Sequence, residues 1–329
     1  MQTAEPTNEF PDIRALTMAR REPLRRFRFV LPSVFVVLAL AGCAASAPEQ
    51  PQLDEETIAE VQRIQAAEDE RILAAAEDDL RYGRDELALE RLSGLGEPIA
   101  STPRARFALA EANLGSGNAG NAYVLYQSLL EDGSYHARAL QGLGLSELAL
   151  GREEAAGGVL RQAVQADPTL WRAWNALGRY HDNRNDWPAA DAAYAQAMSL
   201  QPDDPAILNN VGISYSRQGR YAEAEGMFRQ ALAIDPGAKA TENNLRLAIA
   251  WQGRYAEALN GVPQAEAPDA LNNVGFVAMM NGDYATAERL FLRALEVSPT
   301  YHAEAQSNLD RLRALRSAPG VSQPTNAEE

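Results

Sequence analysis

From about residue 54 onward, apolar residues recur at spacings of three and four, the pattern of amphipathic helices. No stretch sustains the two-residue alternation of a strand. Laid out in rows of 34, the pattern repeats. Ala88, Ala122, Ala156, Ala190, Ala224 and Ala258 stand 34 residues apart, and Ala287 follows after 29. Other positions keep the register: Trp174, Leu177, Gly178, His181, Ala190, Tyr194, Ala197 and Pro202 in one row, Leu208, Val211, Gly212, Tyr215, Ala224, Phe228, Ala231 and Pro236 in the next. Each row predicts two antiparallel helices. The Trp/Leu, Leu and Tyr places form one apolar stripe on the first helix. Gly and Ala are small enough for its partner to approach closely, and Pro, lacking an amide donor, ends the second helix. Glycines at 219, 253 and 282 fall where the chain turns between helices, a place for positive φ.

Seven such units begin near residues 69, 103, 137, 171, 205, 239 and 268, the first two degenerate. Residues 54–68 lengthen the first helix, and 302–316 predict a final helix that caps the core. The sixth unit has only 29 residues, and Gly261, Pro263 and Pro268 clip its second helix. Two readings stay open for it: a bend or change of pitch, or a deletion the stack tolerates. The row pattern resembles the tetratricopeptide repeat. That resemblance implies an all-α, right-handed superhelical solenoid over 53–316, whose first helices line a concave groove.

The predicted groove residues lie beside the Leu-Gly pairs: Arg172, Asn175, Arg179 and Asp182, then Asn209, Ile213 and Ser216, then Asn243 and Leu247, then Asn272, Phe276 and Met279. The asparagines at 175, 209, 243 and 272 form a ladder. Their amides could clamp the backbone of an extended peptide, or could tie neighbouring repeats together, as the asparagines at 210, 244 and 273 suggest. Catalytic chemistry finds little footing. Gly115–Gly120 fits G-x-G-x-x-G, but a helix precedes it where a dinucleotide site needs a strand. His136, His181 and His302 show no metal spacing, and His181 takes a packing place in its repeat. No enzyme activity, cofactor or metal is expected.

The region before the repeats has a different composition. Arg20, Arg21, Arg25, Arg26 and Arg28 form a basic flank, and an apolar run from Phe29 to Leu40 follows. At about a dozen residues that run suits a secretory leader better than a membrane span, which needs about 20. It ends Leu40-Ala41-Gly42-Cys43, holding the single cysteine of the chain. The string resembles a bacterial lipobox. The resemblance implies cleavage before Cys43, lipid on its sulfur and acylation of the new amino terminus. Residues 1–42 are then leader, with Met18 the expected true start, 43–52 lipidated cysteine and tether, and 317–329 a disordered tail. Ala44, where aspartate would favour inner-membrane retention, points to the periplasmic face of the outer membrane. A net charge of −15 argues against nucleic acid as a partner.

The lipobox, the string Trp171-Arg172-Ala173-Trp174-Asn175-Ala176-Leu177-Gly178-Arg179-Tyr180, the run Asn243–Ala248 with Gly253-Arg254-Tyr255, and Leu271-Asn272-Asn273-Val274-Gly275 together resemble the tetratricopeptide lipoproteins of the tight-adherence (Tad, or Flp pilus) secretion system, the TadD type. The resemblance implies a pilotin-like role, with an outer-membrane secretin as partner. A lipoprotein scaffold for cell-wall or outer-membrane biogenesis is the alternative. The lysine/asparagine clamp for chaperone tails is not reproduced, since the chain has one lysine, Lys239.

Overall fold

The computed structural model describes residues 54–300 and 302–317. The leader, Cys43 and its tether, and the stretch after Ser317 lie outside the described residues. Fifteen α-helices make up the described residues: α1 (Glu55–Arg81), α2 (Asp85–Leu92), α3 (Pro103–Gly115), α4 (Ala119–Glu131), α5 (His136–Ala149), α6 (Glu153–Ala166), α7 (Trp171–Asp182), α8 (Trp187–Leu200), α9 (Pro205–Arg217), α10 (Tyr221–Ile234), α11 (Lys239–Trp251), α12 (Tyr255–Ala258), α13 (Ala267–Met280), α14 (Tyr284–Val297) and α15 (Ala303–Ser317). Odd-numbered helices through α13 are the first helices of the seven units, even-numbered ones the second, and α15 is the cap. The expected extension at residues 54–68 is one continuous helix with the first unit.

One turn geometry closes nearly every pair. Residues 83, 117, 151, 219, 253 and 282 are glycines with φ between 67° and 81°, and the fourth unit puts Asn185 there at φ 55°. Asparagine is among the few side chains that tolerate this left-handed region. The amide after each such residue bonds back to a carbonyl five residues earlier, as in Arg220 N–H to Tyr215 O (2.8 Å) and Asp186 N–H to His181 O (3.0 Å). These bonds satisfy carbonyls that the helix end leaves open.

Packing follows the small residues. Gly178 lies against the Tyr194 ring and Gly212 against the Phe228 ring, and a Cβ at either would come within 2.5 Å of ring carbon. The 34-residue alanine ladder is buried throughout. The cores form a relay: each is shared by one helix pair and the first helix of the next. One holds Leu140 of α5, Leu160 of α6 and Leu177 of α7. Another holds Tyr194 of α8 with Ile207 and Val211 of α9. A lone pair could not cover its apolar face, so each repeat depends on its neighbour.

The sixth unit is clipped as expected, α12 having four residues. There α13 rests on α11 through Ile249, Ala250, Val274 and Val277, with Ala258 of α12 completing the cluster. The place held by a buried Gly or Ala in the other units is here Arg246, which is also buried. The place of Tyr194, Phe228 and Phe291 falls to Val262 in the loop after α12. With no ring to admit, the small residue is not needed. The Arg246 guanidinium instead donates to Asn243 Oδ1 and to Glu242 Oε1 (3.0 Å).

Candidate functional groove

The first helices share one concave face. Arg172 of α7 reaches past α5 and donates from Nη1 to Glu111 Oε2 of α3 (2.7 Å).

The predicted groove residues fall into three groups. Arg179 is exposed and has no ion pair among the described residues. Ile213, Leu247 and Phe276 are half-buried, each packed on a core cluster with its outer side left open. Ser216 is half-buried and spends its hydroxyl on the Gly212 carbonyl of its own helix (2.9 Å).

The asparagines are mostly ties. Asn210 Nδ2 donates to Asn175 Oδ1 (3.1 Å) and Asn244 Nδ2 to Asn209 Oδ1 (3.1 Å). Asn308 Nδ2 of the cap donates to Asn272 Oδ1 (2.9 Å). One repeat earlier, Gln141 holds the equivalent place and accepts from the Ala173 amide (3.2 Å). Asn243 differs: its oxygen accepts from Arg246 within its own helix, so the tie is missing between α11 and α13 among the described residues.

Three candidates are corrected. Asn272 is buried, and so are Asp182 and Met279. Asp182 accepts from the Tyr194 hydroxyl (2.8 Å) and the Ser214 hydroxyl (2.6 Å). Met279 belongs to the core shared by α13, α14 and α15. Both occupy the same place in their repeats, the place of the half-buried Ser216 in the fifth unit, and there the next first helix covers much of the side chain. Periodicity assigns a residue to a helix face but does not say which neighbour covers that face.

A further part of the surface lies among the degenerate early units. A cleft of about 350 Å³ is lined by Glu77, Leu80, Arg81, Arg104, Phe107, Ala108, Glu111, Tyr135 and Arg138. It falls between α1, α3 and the start of α5. Tyr135 stands at the mouth of α5 with φ 52°, a left-handed conformation rarely held by an aromatic residue. Its ring stacks on Phe107 at 4.7 Å. The Tyr126 hydroxyl and Arg172 share Glu111, and burial together with that carboxylate pushes the Tyr126 hydroxyl pKa well above its ordinary value. Sequence reasoning passed over this cleft because its units match the repeat pattern poorly. The available signal was the arginine spacing, since Arg104, Arg138 and Arg172 lie 34 residues apart.

Gly115–Gly120 runs from the last residue of α3 through the turn at 116–118 into the start of α4, with Gly117 at φ 79°. Among the described residues no group of three or more His, Cys, Asp or Glu side chains could hold a metal ion, and no helix is long and apolar enough to cross a membrane.

Comparison with known proteins agrees with this architecture. Residues 107–170 and 175–239 match one tetratricopeptide repeat model, and 269–298 match a second. Tetratricopeptide repeat protein 7B of mouse is 32% identical over 82 residues, 25% of this chain and 10% of the mouse protein. Its human counterpart is 31% identical over 91 residues, 28% of this chain and 11% of that protein. The chain thus matches about a tenth of those relatives' length. Among solved structures, a thermophilic tetratricopeptide protein of Thermus thermophilus superimposes with a TM-score of 0.48 at 22% identity, covering 58% of this chain and 98% of that one. PilW, described as a widely conserved type IV pilus biogenesis factor, gives 0.44 at 22% identity, covering 56% and 88%. Tetratricopeptide repeats are thus matched over 107–170, 175–239 and 269–298, within the all-helical stack described above.

Proposed function

We propose that this chain is a lipid-anchored adaptor of the bacterial envelope that assists assembly of a Tad/Flp-type pilus secretion apparatus. In this reading lipid on Cys43 holds it to the periplasmic face of the outer membrane. The groove holds an extended segment of a partner, the secretin of that apparatus. The observation that carries the reading is the order of parts: the basic flank from Arg20 and the apolar run to Leu40, then Ala41-Gly42-Cys43, then a short tether into a solenoid that begins at Glu55. Several acyl chains make a durable anchor where one would be marginal. Confinement to a membrane raises the effective concentration of solenoid and partner without any new contact.

The test is metabolic labelling with an alkyne fatty acid, followed by membrane fractionation and a count of assembled secretin multimers. The wild-type chain is expected to take the label and sediment with outer membrane. Cys43→Ala is expected to lose the label, leave the membrane fraction and lower multimer yield. Label retained on Cys43→Ala would reject the anchor, and unchanged multimers in a strain lacking the protein would reject the role.

A further inference from the structure

The start of α1 has no covering element among the described residues. Every residue from 54 to 65 is exposed, about three turns of helix, and the first buried side chain of α1 is Asp69. Three of the exposed places are aliphatic: Ile58 (42% exposed), Val61 (56%) and Ile64 (60%). Spaced by three, they fall within about 120° of the helix circumference and form one stripe. Past residue 66 the exposed places of α1 hold only alanine and charged residues.

A rod without neighbours frays unless local contacts hold it. Here they do. The Asp54 side chain accepts from the Thr57 amide (2.7 Å), and Glu55 and Glu56 sit in the first turn, where the helix dipole favours negative charge. Arg63 donates to both carboxylate oxygens of Glu60 (2.9 and 2.8 Å). The arm is therefore a formed helix before any partner arrives, and docking on it orders little. Its aliphatic residues do not serve the helix itself. Isoleucine and valine are stiff at χ1 and are poorer helix formers than alanine, glutamate or arginine. At exposed places they weaken the helix and gain nothing until they are covered.

Carboxylates enclose the stripe. Asp54 and Glu55 precede Ile58 by four and three residues, Glu60 precedes Ile64 by four, and Glu68 follows it by four, the spacings at which helix side chains are neighbours. Residues 54–68 hold five carboxylates and one cation, Arg63. A second copy of the chain would bring two such acidic borders together, and an anionic bilayer would repel this one. A helix with basic edges matches both the stripe and its border. We infer that the start of α1 is a docking arm for one amphipathic helix of a partner protein. The partner's apolar stripe covers Ile58, Val61 and Ile64, while lysines or arginines along its edges meet the surrounding carboxylates. Helices paired side by side shut water out of a stripe this narrow, and the edge charges select the partner. The arm shares no residue with the groove, and its test is independent of what the groove holds.

The test selects helical peptides three heptads long, displayed singly on phage, against the immobilised full chain. Stripe places in the library are fixed as isoleucine and leucine, and edge places vary among lysine, glutamate and glutamine. Selected peptides are expected to carry lysine at their edges. The tightest of them, made synthetically, is expected to bind the combined variant Ile58→Gln, Val61→Gln, Ile64→Gln about a hundredfold more weakly, the scale of leaving three aliphatic side chains uncovered. Val124→Gln, exposed on α4, is expected to leave binding unchanged. The melting temperature of the combined variant should match wild type; a lower one would set the stripe against this chain or a second copy and overturn the inference. A wild-type dimer that the combined variant loses, read by sedimentation velocity, would overturn it in favour of a second copy. Equal binding of a scrambled peptide of the same composition would reduce the contact to bulk charge and overturn it. Selection of glutamate or glutamine edges, equal binding by the combined variant, or no selection at all would overturn it too, with the groove reading untouched.

Discussion

Asp182 shows how much a single position can owe to its neighbours. It lies buried between two hydroxyl donors that tie α7 to α8 and α9. Burial raises its pKa above the ordinary 3.8, partly offset by the bonds from Ser214 and Tyr194. A raised carboxyl pKa means that the folded chain holds the proton more tightly than the unfolded one. The stability this lends is fully present below the unfolded value and is lost as pH rises through the folded value. Asp182→Asn cannot titrate, so its urea midpoint should fall furthest below wild type in acid and draw closer as pH rises. A gap independent of pH would reject the assignment. Asp182→Ala, which leaves two hydroxyls without their acceptor, should cost about 2–3 kcal/mol. At this scale the sequence was only partly legible. Spacing put Asp182 and Met279 on the right helices, but the cover supplied by the next helix is a tertiary fact. The exposure of Arg179 was legible. The stacking of Arg138 was not, since it depends on Phe107 one repeat earlier and on the backbone at Tyr135.

Helix pairs follow one bargain between a small residue and a ring. Gly178→Ala should destabilise by about 1–3 kcal/mol, because the new methyl meets the Tyr194 ring and neither helix can yield cheaply. Gly226, inside α10 with open space where a Cβ would stand, should respond in the opposite sense, Gly226→Ala gaining about 0.5–1 kcal/mol of helix propensity. Arg246 inverts the rule. Arg246→Gly would restore the residue found at this place in four other units, yet it should destabilise by about 2–3 kcal/mol, since no ring waits to fill the space. Thermal or urea unfolding of the three variants gives all three signs, and a stabilised Arg246→Gly would sink this account. The clipped second helix itself was plain in the sequence, from Gly261 and Pro263. The compensation at Arg246 could be seen only once α13 was found resting on α11.

The relay of shared cores makes the whole molecule a chain of nearest-neighbour joints, each core closed by the repeat that follows. The period, the alanine ladder and the length of every unit announced this organisation before any coordinates. The differences between joints were not announced, because they reside in side-chain amides that could have faced either way. From α5 to α11 and from α13 to the cap, an amide at the same place reaches across and locks one first helix to the next. Between α11 and α13 that lock is missing, and the four residues of α12 stand where a full helix would buttress the joint. Stretched between its ends in an optical trap, the chain should therefore yield at this seam first, parting into a longer and a shorter block before either unravels. Tension would thus find in the protein a built-in fuse, placed by the same short unit that looks, in the sequence, like a mere deletion.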